Sequence, residues 1–245
     1  MNNAVIAGRI AEALTYDHEA YKQQFYRTKV CVENKIGKDY VPVLLNKKFF
    51  EECGRRPKRG DFVKITGPIR TINELGDDGK THLRVRIIAN GLTFCESEEE
   101  QVFQNEVKLK GKVCSDKGEW RVRPGREKRD FVVATYRDYG RKRDYINCPV
   151  WKRRKLDISK IRKGTSVRVE GRFHSRNYFK YEAPDSPKGE LKEVYEVTVE
   201  EIVALGWCDV EEQKKEHCSF FCLYIYRKIF KNFSNFFVQA TYNIL

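Results

Sequence analysis

The stretch that decides the fold spans residues 163–173 and reads Lys-Gly-Thr-Ser-Val-Arg-Val-Glu-Gly-Arg-Phe. From Val167 to Phe173, apolar residues and a glycine alternate with charged residues at every second position. A period of two with β-branched residues predicts a strand with one buried face. Gly171 lies within this face, and a glycine inside a strand predicts a bend or a bulge where the sheet curls on itself.

The same pattern occurs earlier in the chain. Residues 59–69 read Arg-Gly-Asp-Phe-Val-Lys-Ile-Thr-Gly-Pro-Ile and match residues 163–173 at a shift of 104 positions. A second block, residues 2–10, matches residues 105–113 at a shift of 103. Two blocks that recur in the same order indicate an internal duplication. The 245 residues therefore predict two domains, which we call repeat one and repeat two.

Each repeat shows five strand-like segments, with a short helical segment after the third. In repeat two the segments are residues 107–113, 131–136, 145–151, 165–173 and 194–200, and repeat one follows the same course. This order is that of the OB fold, a small five-stranded Greek-key barrel. A long helical pattern, which an α/β sheet would need, does not interrupt the strands. The sequence thus predicts an all-β chain of two tandem OB folds with a C-terminal tail.

The predicted domain boundaries follow changes in composition. Residues 1–96 form repeat one, residues 97–102 an acidic linker, and residues 103–206 repeat two. Residues 207–245 are rich in Phe, Ile, Tyr, Asn and Lys and predict a tail that is partly helical or disordered. Repeat two has the longer and more basic predicted loops, at residues 114–129 and 174–192, and long loops on small barrels often carry function.

Charge and composition restrict the classes of function. The net charge is +13, of which +10 lies in residues 103–205, and this excess favours a polyanion as the partner. The eight cysteines form no Cys-x-x-Cys, and the chain has no P-loop and no zincin motif. We therefore expect no enzymatic activity, cofactor or metal. Reduced cysteines, no signal-peptide layout and no apolar run of ~20 residues favour a cytoplasmic protein without a membrane span.

Aromatic and basic residues alternate along repeat two. If Ile146, Cys148 and Val150 point inwards, Tyr145 and Trp151 point outwards on one face. Exposed rings stack on unpaired bases while Lys and Arg contact phosphates, a combination that favours single strands. The candidate nucleic-acid-binding residues are Tyr139, Tyr145, Trp151, Tyr178, Arg141, Arg143, Lys152, Arg168, Arg172 and Arg176, with Tyr40 in repeat one.

Repeat two resembles the bacterial single-stranded DNA-binding protein family. The OB domain of that family opens Asn-x-Val-x-Leu-x-Gly and later reads Lys-Gly-x-x-Val-x-Val-x-Gly-x-Leu. Residues 105–111 carry the first motif, and residues 163–173 carry the second with Phe in the last position. The resemblance places the stacking residues of the family at Tyr139, Tyr145, Trp151 and Tyr178.

Repeat one is similar to the same family over residues 3–95, but more loosely. By this resemblance Tyr40 matches Tyr145, whereas Leu44 takes the place of Trp151 and Glu74 that of Tyr178. Repeat one is therefore predicted to be a degenerate copy that contributes less to nucleic-acid binding and serves assembly instead.

The resemblance implies a protein that binds single-stranded DNA with little sequence preference and protects it in replication, recombination or repair, in association with the nucleoid. Family members usually assemble four OB domains, so two in one chain imply a homodimer. They usually end in an acidic tip that recruits replication and repair enzymes, whereas residues 240–245 read Ala-Thr-Tyr-Asn-Ile-Leu. Two alternatives stay open: an RNA-binding OB protein and a primosome-like protein-interaction module.

Overall fold

The structure is a computed structural model that describes residues 1–35, 37–75, 79, 81–116, 118, 120–123, 126–137, 142–152, 156–181 and 189–206. Met1–Ala204 form one compact unit, and Leu205–Leu245 form a second, of which only Leu205 and Gly206 are described. The predicted tail, residues 207–245, lies outside the described residues. Within them, no helix has the length and apolar character that crossing a membrane requires.

Repeat one is a small barrel. In the described part of the chain it comprises β1 (Asn2–Ile10), β2 (Thr15–Ala20), β3 (Gln23–Asn34), β4 (Gly37–Asn46), α1 (Lys48–Glu52), β5 (Phe62–Gly67), β6 (Ile69–Leu75), β7 (Thr81–Ile88) and β8 (Gly91–Phe94). β1 pairs antiparallel with β3 and β5, and β3 pairs with β4. Parallel pairing of β4 with β7 closes the barrel.

Repeat two follows the same order. It comprises β9 (Gln104–Asp116), β10 (Arg121–Arg123), β11 (Arg126–Tyr136), β12 (Arg143–Trp151), β13 (Ser166–Tyr181) and β14 (Gly189–Ala204) among the described residues. β9 pairs antiparallel with β11 and β13, β11 with β12, and β13 with β14. The prediction of an all-β chain with two tandem OB folds is confirmed.

β13 contains residues 166–173, and their burial follows the predicted alternation. Val167, Val169 and Phe173 are fully buried. Gly171 lies where the register of β13 with β14 shifts, and a Cβ atom there would collide with the carbonyl oxygen of Thr198. The predicted bulge at this glycine is therefore confirmed.

Several predicted loops are strand. β13 continues to Tyr181 and β14 begins at Gly189, so most of the predicted loop 174–192 is a β-hairpin. The predicted loop 114–129 contains the end of β9, β10 and the start of β11, and the polar segment 11–24 contains β2. Side chains in these hairpin strands are exposed or half-buried on both faces, so they show no buried face with period two, although the backbone groups are paired across the hairpin.

The two repeats join through their first strands. β1 pairs antiparallel with β9, from Asn2 opposite Leu109 to Ala7 opposite Gln104. Because β1 also pairs with β5, and β9 with β13, one continuous sheet crosses from repeat one into repeat two.

Asn2 and Asn105, which the duplication relates, make the same contact in each barrel. The side-chain amide of Asn2 donates to the carbonyl oxygen of Ile69 (2.8 Å) and accepts from its N–H (2.9 Å). Asn105 brackets Phe173 in the same way, with both distances 2.8 Å. Each asparagine side chain thus takes the place of two backbone hydrogen-bonding groups. Asn2 joins β1 to β6 in this way, and Asn105 joins β9 to β13.

Asp144 connects repeat two to repeat one. This fully buried carboxylate accepts hydrogen bonds from Arg70 (2.9 Å), from Arg137 (2.7 Å) and from the backbone N–H of Thr71 (2.8 Å). Arg70 and Thr71 belong to β6 of repeat one, so the contact crosses between the barrels.

Asp39 makes the corresponding contact from repeat one. It is buried and accepts from the backbone N–H of Ser175 (3.1 Å), while Nδ1 of His174 lies 2.7 Å from its carboxylate and the amide of Asn34 donates to it (3.1 Å). His174 and Ser175 stand where the duplication places Arg70 and Thr71. The two contacts therefore share one geometry and differ in side chains.

Candidate nucleic-acid interface

The outer face of β11 and β12, which we call the outer face of repeat two, carries aromatic residues. Ile146, Cys148 and Val150 are buried. Strand alternation then directs the residues between them outwards. Tyr145 is 47% exposed and Trp151 is half-buried on this same side. The predicted orientation of these two rings is confirmed, and six residues of strand separate them by ~20 Å.

Two cations lie against Trp151. Lys128 stands opposite it in the ladder with Nζ 5.6 Å from the ring centroid, and the guanidinium of Arg126 lies 5.9 Å away. Burial lowers the pKa of Lys128, and the carboxylate of Glu196, 3.6 Å from Nζ, opposes that shift. A ring flanked by cations can stack on a base while the cations meet phosphates.

Tyr136 extends the outer face of repeat two beyond Tyr145. It is 56% exposed, and Arg143, opposite it in the ladder, places its guanidinium 4.7 Å from the ring centroid. The sequence prediction includes Arg143 but misses Tyr136. The sequence nevertheless contains a signal for Tyr136. Alternation with Phe131 and Val133, which are buried, directs the side chain of Tyr136 outwards.

The β13–β14 hairpin adjoins this face. Tyr178 is exposed, and the guanidinium of Arg176 lies 5.7 Å from its ring centroid. Nε of Arg176 is 3.6 Å from one oxygen of Glu196, whose other oxygen contacts Lys128. Glu196 therefore links the hairpin to the cation beside Trp151.

Arg168 and Arg172 lie on β13, away from the ladder of β11 with β12. Arg168 stands between Lys110 of β9 and Val203 of β14, and Nε of Arg172 is 3.8 Å from Glu200. The structure therefore does not bring these two arginines onto the β11–β12 ladder with Tyr145 and Trp151.

Lys152 follows Trp151 at the end of β12. Its ammonium pairs with Glu127 (2.6 Å) and lies 5.9 Å from the ring centroid of Trp120, a ring that the sequence prediction misses. Tyr139 and Arg141, the remaining predicted residues of repeat two, lie outside the described residues.

Tyr40 is the counterpart of Tyr145, as the sequence predicts. The backbone N–H of Tyr40 donates to the hydroxyl of Ser175 (2.8 Å), and that of Tyr145 donates to the hydroxyl of Thr71 (3.0 Å). Tyr40 is exposed on β4. Each barrel therefore presents a tyrosine at the point where it meets the other barrel.

The counterpart of Trp151 is Asn46, and the expectation that Leu44 takes this place is wrong. The ladder of β4 with β3 is unbroken from Tyr40 to Asn46, as is the ladder of β12 with β11 from Tyr145 to Trp151. Trp151 follows Tyr145 by six residues, and Asn46 follows Tyr40 by six residues.

Burial explains why the sequence misleads at this point. Residues 43–46 are all buried, so the alternation that fixes a register is lost there. Asn46 accepts a hydrogen bond from the backbone N–H of Lys48, the first residue of α1 (2.9 Å). Glu74, five residues after Ile69, does stand at the place of Tyr178, and it pairs with Arg84 (3.2 Å).

Residues 104–205 match the model of the Single-strand binding protein family. Repeat two is thus similar to this family over its own length, which is less than half of the chain. The match begins at the first residue of β9 and ends one residue after β14. It therefore covers the whole barrel of repeat two, with Tyr145 and Trp151 at its surface.

Most of the chain is similar in fold to solved single-stranded DNA binding proteins. The wild-type protein from Thermus aquaticus aligns over 84% of this chain and 93% of its own, with a TM-score of 0.64 and 15% sequence identity. A deletion mutant of the same protein aligns over 84% and 95%, with a TM-score of 0.64 and 14% identity. Such likeness establishes the fold. No curated protein matches the chain at a significant level.

Proposed function

We propose that the chain binds single-stranded DNA with little sequence preference, mainly through the outer face of repeat two. The observation that carries this proposal is the pairing of rings with cations. Trp151, Tyr136 and Tyr178 each have a guanidinium or ammonium group within 6 Å of the ring centroid. Rings stack on any base and cations follow the phosphates, so this pairing suits a strand without regard to its sequence.

Single strands suit this surface better than duplexes. Base pairs hide their faces inside a duplex, whereas an unpaired base presents one to an exposed ring. The match of residues 104–205 to the Single-strand binding protein family supports the same ligand class. We propose a non-enzymatic role in which the bound strand is protected during replication, recombination or repair in the cytoplasm, at the nucleoid.

We propose that the two repeats contribute unequally to DNA binding. Repeat two, residues 103–206, is the main binding domain, and repeat one, residues 1–96, is a degenerate copy joined to it through the acidic linker 97–102. The proposed contacts are those predicted from the sequence, including Tyr139 and Arg141, with Tyr136 and Lys128 added from the structure.

We further propose that the chain is a homodimer, because the family that repeat two resembles usually assembles four OB domains. Mass photometry should give twice the 28.9 kDa of the chain. Replication or repair enzymes are the protein partners that a complex on single-stranded DNA would meet.

The direct test is fluorescence anisotropy with labelled oligo(dT), at low and high salt, with duplex DNA and oligo(U) as competitors. We expect tight binding that duplex DNA competes for poorly. The binding constant should fall steeply with salt, because each phosphate neutralised on a single strand contributes about −0.7 to the logarithmic slope. Equal competition by oligo(U) would favour the RNA-binding alternative. No binding at low salt would favour the protein-interaction module.

A further inference from the structure

Two stacked rings stand on the outer face of repeat one. His18 of β2 and Phe25 of β3 are opposite each other in the ladder, with ring centroids 5.0 Å apart and planes 10° from parallel. The side chain of His18 is 43% exposed, while Phe25 is half-buried beneath it. The imidazole is therefore the more exposed ring of the pair, and Phe25 packs against one of its faces.

The position of this pair corresponds to that of Trp151 in repeat two. Trp151 stands opposite Lys128, and in repeat one the corresponding pair is Asn46 opposite Phe25. Phe25 therefore lies one strand, ~5 Å, from the place of Trp151, and His18 lies two strands, ~10 Å, from it. Measured along the strands, both rings are ~20 Å from Tyr40, as Trp151 is from Tyr145. Repeat one therefore keeps two rings at the spacing found in repeat two.

Partners hold the imidazole of His18 in place. Nδ1 lies 2.7 Å from a carboxylate oxygen of Asp17, to which it donates. The two oxygens of Asp17 in turn accept from Nη1 of Arg86 at 3.2 and 3.0 Å, and both of these side chains are largely buried. A ring that is already fixed loses little conformational freedom when a base stacks on it.

A cation stands beside the stacked rings. Arg27 is two residues from Phe25 on the same side of β3, and it is exposed. Its Nε donates to the hydroxyl of Thr15 (3.1 Å), which leaves the terminal guanidinium nitrogens turned to solvent or to a phosphate. Repeat one therefore also has an arginine on the same side of the sheet as a pair of rings.

We propose that His18, supported by Phe25, is a second stacking platform for an unpaired base, with Arg27 against the neighbouring phosphate. A strand bound to the outer face of repeat two then continues onto repeat one. This inference rests on the proposed function and assigns repeat one a direct share in it.

The test compares two lengths of oligo(dT) on the full chain. An OB barrel covers ~4–16 nucleotides, so an oligonucleotide of about ten fills repeat two alone and one of about thirty reaches both repeats. We expect His18→Ala to weaken binding of the long oligonucleotide by roughly 5- to 100-fold, the loss of one stacked base, and to leave the short one unchanged. His18→Phe, which keeps a ring, should retain the affinity for the long one.

The matched control is Tyr16→Ala. Tyr16 is an exposed ring (53%) on the same hairpin, but it packs edge-on against Tyr26, which faces the core side of β3. This variant should bind both lengths as the unaltered chain does. If His18→Ala binds the long oligonucleotide as tightly as the unaltered chain, or if Tyr16→Ala loses as much, the platform is refuted.

A direct readout separates this proposal from the proposed function. In His18→Trp, the added tryptophan should be quenched by the long oligonucleotide and not by the short one. Binding of both lengths without this added quenching would refute the platform and leave the function of repeat two intact. An unaltered chain that binds neither length would refute the proposed function itself.

Discussion

Asp39 and Asp144 join the two repeats with one geometry and different partners. Both are buried, and each accepts from the backbone N–H of a hydroxyl residue in the other barrel, Ser175 or Thr71. Asp144 adds two guanidinium groups, whereas Asp39 adds one imidazole and the amide of Asn34. One contact therefore joins a carboxylate to two guanidinium groups, and the other joins a carboxylate to an imidazole and an amide.

The difference shows which properties the duplication has kept. The backbone contact at the junction is the same for Asp144 of repeat two and for Asp39 of repeat one, since each carboxylate accepts from a backbone N–H of the other barrel. Side chains around it have diverged, as they have on the outer faces, where Asn46 stands in place of Trp151. The following predictions challenge or refine this comparison.

The largest effect is expected at Asp144. Asp144→Ala leaves the largely buried guanidinium groups of Arg70 and Arg137 without a counter-charge, so the free energy of unfolding should fall by ~3–5 kcal/mol. Asp39→Ala should cost only ~1–3 kcal/mol, because it strands hydrogen-bond donors and a half-exposed imidazole. Urea denaturation of both variants measures the difference. Equal losses, or a larger loss at Asp39, would contradict the distinction between the two contacts.

A smaller and symmetric effect is expected at Gly8 and Gly111. A Cβ atom at Gly8 would meet the carbonyl oxygen of Cys31, and one at Gly111 that of Ala134. Each substitution by Ala should therefore cost ~1–3 kcal/mol through overpacking. Thermal unfolding should give the two variants similar losses. A large loss at only one of them would show that the barrels do not share this close approach.

The smallest effect is expected at Lys152 and its counterpart Lys47. Lys152→Gln should change the free energy of unfolding by less than about 1 kcal/mol, because its pair with Glu127 is exposed. It should nevertheless reduce the salt dependence of short-oligo(dT) binding by about 0.7 in logarithmic slope, the value for one phosphate contact. Lys47→Gln should leave that slope unchanged. Salt titrations of both variants would show whether the phosphate path follows Trp151.

The fold could be predicted from the sequence because the duplicated motif fixes its strands. The alternation around Gly171 and the matching stretch near Gly67 give the strand order, the bulge and the second barrel. The outward positions of Tyr145 and Trp151 follow from the same period of two. These features depend on local backbone geometry and burial, which leave a periodic trace in the sequence.

The remaining features depend on pairing between distant segments. Counting six residues from Tyr40 leads to Asn46, but residues 43–46 are all buried and carry no alternation that supports this register. The outer part of the hairpin that holds Tyr178 has no buried side chains among its described residues, so its sequence has the pattern of a loop. Asp39 and Asp144 have partners in the other barrel that lie more than sixty residues away, and nothing in the local sequence predicts these contacts.

The most direct test of the central claim is a titration of tryptophan fluorescence with a short oligo(dT), in the unaltered chain and in Trp151→Phe. If bases stack on the outer face of repeat two, the unaltered chain should be strongly quenched. Trp151→Phe should lose most of this quenching while Trp120 and Trp207 still fluoresce. Equal quenching in both proteins, or none in the unaltered chain, would contradict the assignment of this face as the main binding surface.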